Sequence, residues 1–121
     1  MTAVAHDPLF SLAQLTLINA TTPELIYIAD RAGYDAVSPR FIPMNVPGEF
    51  KQSPIDSQMI AATKIALKTT GIKVLDIELA RITEDCDPRN FDRALELGGE
   101  LGAKRMIMSA WTTDRNDRNF I

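Results

Sequence analysis

A single cysteine, Cys86, among 121 residues cannot form a disulfide within the chain, and it cannot supply the several closely spaced thiolates of a Cys-rich metal centre. The one histidine, His6, lies in the amino-terminal stretch, so no pair of histidines is at hand for metal or acid–base work. No uninterrupted apolar run approaches the roughly 18 residues of a membrane span. The opening Met1 to Pro8 has no Lys or Arg, as a signal peptide would need. Basic excess is missing too: 13 Lys and Arg stand against 16 Asp and Glu, giving a net charge of -3 and no field for a phosphate backbone. P-loop, HExxH, GxSxG and EF-hand patterns are all absent. The expectation is a cytoplasmic domain with a small-molecule partner, and neither nucleic acid nor membrane. With 45% hydrophobic and 24% charged residues, the chain can bury a core of its own.

What is there is a unit repeated three times. Thr22-Pro23, Ser53-Pro54 and Asp87-Pro88 each pair an N-cap oxygen with a residue that has no N–H to orphan, which predicts three helix starts. Apolar residues at helical spacing follow: Leu25, Ile28, Ala29 and Ala32; Met59, Ile60, Thr63, Ala66 and Leu67; Phe91, Ala94, Leu95, Gly98 and Leu101. Gly33, Gly71 and Gly102 stand where a left-handed residue ends a helix. Short apolar runs predict strands over 10–17, 35–40, 72–79 and 104–110. The order is therefore β-α-β-α-β-α-β.

Such alternation calls for parallel strands joined by right-handed crossovers, an α/β fold. A dinucleotide-binding sheet wants a glycine-rich turn after its first strand, yet Ile18-Asn19-Ala20-Thr21-Thr22 has none. The (β/α)8, or TIM, barrel is favoured. A whole barrel takes about 250 residues, so residues 1–121 are expected to form one domain amounting to about half of one. Thr112-Thr113-Asp114 and Asp117 read as the start of a fourth helix, with Arg115 and Arg118 solvating it. Two explanations stand: the chain is the amino-terminal part of a longer barrel, or two copies close one barrel as a homodimer.

The segments SLAQLTLINATTPELIYIADRAGYDAVSPRF, GIKVLDIELARI and ALELGGELGAKRMIMSAW carry a resemblance. In order and spacing they are similar to the first four βα units of the sugar phosphate isomerase/epimerase family with the xylose isomerase-like TIM barrel, whose superfamily includes tagatose epimerases, hydroxypyruvate isomerases and inosose dehydratases. The resemblance implies proton transfer α to a carbonyl of a sugar or keto acid, beside a divalent metal (Mn, Mg or Co), with paired glutamates moving the proton. It implies that the metal ligands come from later strands of the family's barrel, so no ligand maps onto this sequence and no metal is expected to bind this chain alone. Branches with histidines on early strands fit less well, since His6 lies ahead of the first strand. A dehydratase or lyase on the same barrel shares this chemistry, and a non-catalytic half-barrel that self-associates or docks to a partner is the reading from another class.

Barrel sites lie at the carboxyl ends of the strands, which selects Arg40, Glu78, Arg81 and Trp111 as substrate-binding candidates. Period two puts Asp76 and Glu78 on one face of the third strand, where buried acids need partners or a function. An ion pair with Arg40, Arg81 or Lys73 is the structural alternative. Arg40 and Arg81 offer planar forks for a carboxylate, phosphate or hydroxyl. Trp111, after Ser109, reads as a stacking platform for a sugar face or as a buried cover of the barrel top. Arg40 also precedes the longest connection, Phe41 to Gln52, a loop of the length that lids have; its flanking Phe41 and Phe50 wall a pocket or pin the loop. Gln14, Thr16 and Asn19 are hydrogen-bonding candidates at the end of strand one. Cys86, between Asp85 and Asp87, sits where negative neighbours disfavour a thiolate.

Overall fold

The computed structural model describes residues 8–111, which form an α/β arrangement of parallel strands and three α-helices. The strands are β1 (Ser11–Ala13), β2 (Ala36–Ser38), β3 (Lys73–Val74), β4 (Ile77–Thr83) and β5 (Met106–Trp111); the helices are α1 (Thr22–Ala32), α2 (Ser57–Thr70) and α3 (Asp92–Glu100). Strand β2 pairs in parallel with both β1 and β3, and β4 pairs in parallel with β5. A parallel bridge between Arg40 and Glu78 links the two sets, reinforced by the Glu78 N–H donating to the Pro39 carbonyl at 2.9 Å. Since β3 and β4 follow one another with only Leu75 and Asp76 between, the lateral order β1, β2, β3/β4, β5 repeats the order of the sequence.

Helices α1 and α2 start where a side-chain oxygen reaches a free N–H, one and three residues away from the expected caps, whereas α3 has no side-chain cap. For α1 the cap is Thr21, not Thr22: its Oγ1 accepts from the Glu24 N–H at 3.2 Å and donates to Glu24 Oε1 at 2.9 Å. For α2 it is Asp56, accepting from the N–H groups of Gln58 and Met59, while Ser53-Pro54 forms the preceding turn. Asp87 caps a 3-10 turn, Pro88–Phe91, and α3 begins only at Asp92. Gly33 (φ 85°) and Gly71 (φ 76°) do end α1 and α2 in the left-handed region, where a side chain would be strained.

One core cluster lies between strands and helices. Leu12, Val37, Val74 and Ile77 from the strands meet Leu25, Ile26 and Ala29 of α1, Ala66 of α2, and Ala94 and Leu97 of α3. Helix α1 therefore turns Ile26, rather than Ile28 or Ala32, inward; α3 turns Leu97 inward and leaves Leu95 exposed. At Gly98, α3 comes so close to β4 that an added Cβ would lie 3.0 Å from Ile77 Cδ1.

The first and third strands differ from expectation. After Ala13 the chain leaves the extended form for a 3-10 turn, Gln14–Leu17, because the Gln14 amide donates to the Leu17 and Ala20 carbonyls at 2.9 and 3.1 Å and closes the turn. The third strand is interrupted at Leu75-Asp76 and then runs on to Thr83, so Glu78 sits near the start of β4 and not at a strand end. No described helix is long and apolar enough to cross a membrane. His6 and the Asp114, Arg115, Asp117 and Arg118 group lie outside the described residues.

Candidate functional site

Arg40 lies two residues beyond the end of β2, after Pro39, and a parallel bridge places it beside Glu78 of β4. Arg40 Nη2 donates to Glu78 Oε2 at 2.9 Å, with the two side chains only 6% and 8% exposed. The ion pair weighed from the sequence is thus formed, with Arg40 as the partner. Burial, the strongest influence, pushes the Glu78 carboxyl above its ordinary value. The Arg40 charge and hydrogen bond offset this in part; nearby Asp76 adds to the rise, and the Leu15 N–H opposes it. Asp76 itself lies in the strand break, half-buried, and its Oδ1 has no hydrogen-bond partner among the described residues.

Sequence reasoning missed the two residues that hold the loop after Arg40. Gln52 is buried and bridges: its Nε2 donates to the Arg40 carbonyl at 3.2 Å, and its Oε1 accepts from the Thr22 N–H at 2.6 Å, tying the loop to the first turn of α1. Glu49 accepts from the N–H groups of Met44 and Asn45 at 2.7 Å each and of Val46 at 3.4 Å, around a left-handed Asn45 (φ 60°). Burial acts most strongly on this carboxyl and raises it, but the three N–H groups and the Arg40 charge together hold it below its ordinary value. The acceptor–xx–Glu spacing that marks a helix cap had no counterpart here, so neither contact carried a sequence signal. The long connection is consequently a tethered loop.

Arg81 is exposed, and its guanidinium carbon lies 4.9 Å from the Trp111 ring centroid, a cation–π contact. Trp111 is itself 61% exposed, which overturns the reading of a buried cover; its Nε1 donates to Ser109 Oγ at 2.7 Å. Arg40 and Arg81 both line one open groove of about 230 Å³, with Pro43, Met44, Leu79 and Phe91 among its walls. The four selected residues therefore fall into two contacting pairs, Arg40–Glu78 and Arg81–Trp111, and the groove joins them through the two arginines.

The remaining candidates disperse. Phe41 is a fully buried residue of the core cluster, which fits pinning the loop. Phe50 is half exposed, its N–H donating to the Ile18 carbonyl at 2.8 Å. Gln14 is buried in the 3-10 turn, while Thr16 and Asn19 face solvent. Cys86 closes a turn against Thr83, its Sγ accepting from the Thr83 N–H at 3.4 Å.

Chemically, the groove offers the exposed Arg81 guanidinium to an oxygen-rich or anionic ligand, with Trp111 in contact with it, while the Arg40 charge is already compensated by Glu78. Among the described residues no three His, Cys, Asp or Glu side chains gather as the ligands of a metal ion would, so these residues do not fit a metal centre and no chemical step is derived through one. In comparisons with known proteins, the chain matches no protein-family model and no curated protein.

Proposed function

We propose that this chain supplies the substrate-binding side of a cytoplasmic sugar or sugar-phosphate isomerase or epimerase, and that its strands are the first four of a TIM barrel. The observation that carries the reading is the strand order: four neighbouring positions, all parallel, run in the order of the sequence. A doubly wound sheet reverses its order at a switch point, whereas a barrel does not. The placing of two arginines on one groove beyond β2 and along β4 supports it further.

In this reading Arg81 and Arg40 bind hydroxyl or phosphate oxygens, and Trp111 stacks on the sugar face. Glu78 is the positioning residue that holds the Arg40 guanidinium in place. The resemblance implies that a pair of glutamates carries the proton transfer, and no residue of this chain is assigned that step. A dehydratase or lyase would use the same groove, and product analysis on a panel of sugars and keto acids separates these reactions.

The test is a titration of the isotopically labelled chain with fructose, fructose 6-phosphate and inorganic phosphate. Amide shifts around Arg40, Leu79 and Arg81 are expected with the sugar phosphate, weakened about tenfold or more in Arg81→Ala, since a hydrogen bond to a charged group contributes about 1.5–3 kcal/mol. Shifts that are absent at millimolar ligand, or unchanged by Arg81→Ala, would overturn the assignment.

A further inference from the structure

A second, smaller cavity also borders the loop that follows Arg40. It measures about 10 Å³ and is lined by Gln14, Ile18, Arg40, Glu49, Phe50 and Gln52, among others. Two of these residues carry a buried polar atom with no hydrogen-bond partner among the described residues: Gln14 Oε1 and Arg40 Nε. Both side chains are more than nine-tenths buried. One atom is an acceptor and the other a donor. The Gln14 amide cannot exchange its ends to escape this, because its Nε2 already donates to the Leu17 and Ala20 carbonyls.

We propose that a single water molecule is bound in this cavity as an integral part of the fold, accepting from Arg40 Nε and donating to Gln14 Oε1. The space matches the roughly 10–15 Å³ that one water requires, and the site provides two polar partners of complementary sense. Two unpaired buried polar atoms on residues that line one small cavity point to such a site, since each would otherwise forfeit its hydration without replacement. With the water in place Arg40 is held on three sides: Nη2 by Glu78, the carbonyl by Gln52, and Nε by the water. The water thereby connects the 3-10 turn after β1 to the end of β2, and makes Gln14 a positioning residue for Arg40. This inference stands independently of the proposed activity.

The experiment is water magnetic relaxation dispersion combined with water–protein dipolar cross-peaks on the intact 121-residue chain. The expected result is a dipolar cross-peak between a long-lived water and the Arg40 Nε proton, and one fewer long-lived water in Gln14→Met. Because Gln14 also closes its turn, Arg40→Lys serves as a second variant: it keeps the positive charge, lacks the Nε–H, and should lose the same water. If neither variant folds, the cross-peak in the unaltered chain decides. Its absence, or a high-resolution crystal structure with Arg40 Nε bonded directly to Gln14 Oε1, would overturn the proposal.

Discussion

Arg40 and Glu78, 38 residues apart in sequence, meet at 2.9 Å across the bridge that joins β2 to β4, both nearly sealed from solvent. A buried pair of this kind costs desolvation on both sides, so its removal as a unit and its breaking by halves have different consequences. Glu78→Leu, which strands the guanidinium, is expected to lower unfolding free energy by about 3–5 kcal/mol. The double variant Arg40→Met/Glu78→Leu should recover most of that loss. Urea unfolding of the unaltered chain, Arg40→Met, Glu78→Leu and the double variant closes the cycle; a double variant as unstable as Glu78→Leu would show that the pair contributes more than mutual neutralisation.

Two glutamates respond to pH in opposite senses. Burial raises Glu78 above its ordinary value of 4.5, so the folded chain holds that proton more tightly; its contribution is full below pH 4.5 and is lost as pH rises through the folded value. Three backbone N–H groups and Arg40, acting against burial, lower Glu49; its contribution is full above pH 4.5 and is lost as pH falls through the folded value. Stability measured from pH 3 to 8 should lose slope on the alkaline side of 4.5 in Glu78→Gln and on the acidic side in Glu49→Gln. Both variants flattening the same limb would contradict these environments.

The Arg81–Trp111 contact has a direct optical readout, since Trp111 is the sole tryptophan. Arg81→Ala should change the emission intensity of Trp111 while costing no more than about 0.5–1 kcal/mol, the size of an exposed cation–π contact. An unchanged emission spectrum would show that the ring and guanidinium do not associate in solution.

Gly98 is a packing glycine: the Cβ position lies 3.0 Å from Ile77 Cδ1. Gly98→Val is expected to destabilise by about 1–3 kcal/mol through overpacking between α3 and β4. Trimming the neighbour, in Gly98→Val/Ile77→Val, should return part of the loss. No rescue would point to the helix backbone rather than to the contact as the origin.

Alternation of strand and helix, the left-handed ends at Gly33 and Gly71, and most of the face that α2 buries were legible without coordinates. Each of these depends on interactions within about four residues, which the local pattern encodes. Even there the caps shifted to Thr21 and Asp56, because several adjacent oxygens compete for the same N–H groups and only the final chain path selects one. The selected site residues were named from their type and position alone.

What they touch was decided by tertiary structure. Glu78 had several cations to choose from, and the parallel register of β2 beside β4 gave it Arg40. The 3-10 turn after β1 and the break at Leu75-Asp76 moved both strand boundaries, since apolar runs there satisfy the core in more than one backbone form. Gln52 and Glu49, invisible in the pattern, became the ties of the loop once folding brought the Arg40 carbonyl, the Thr22 N–H and the Met44–Val46 turn within reach. Short-range chemistry thus determined which elements form, and long-range register, set by burying one shared core, determined which polar groups meet.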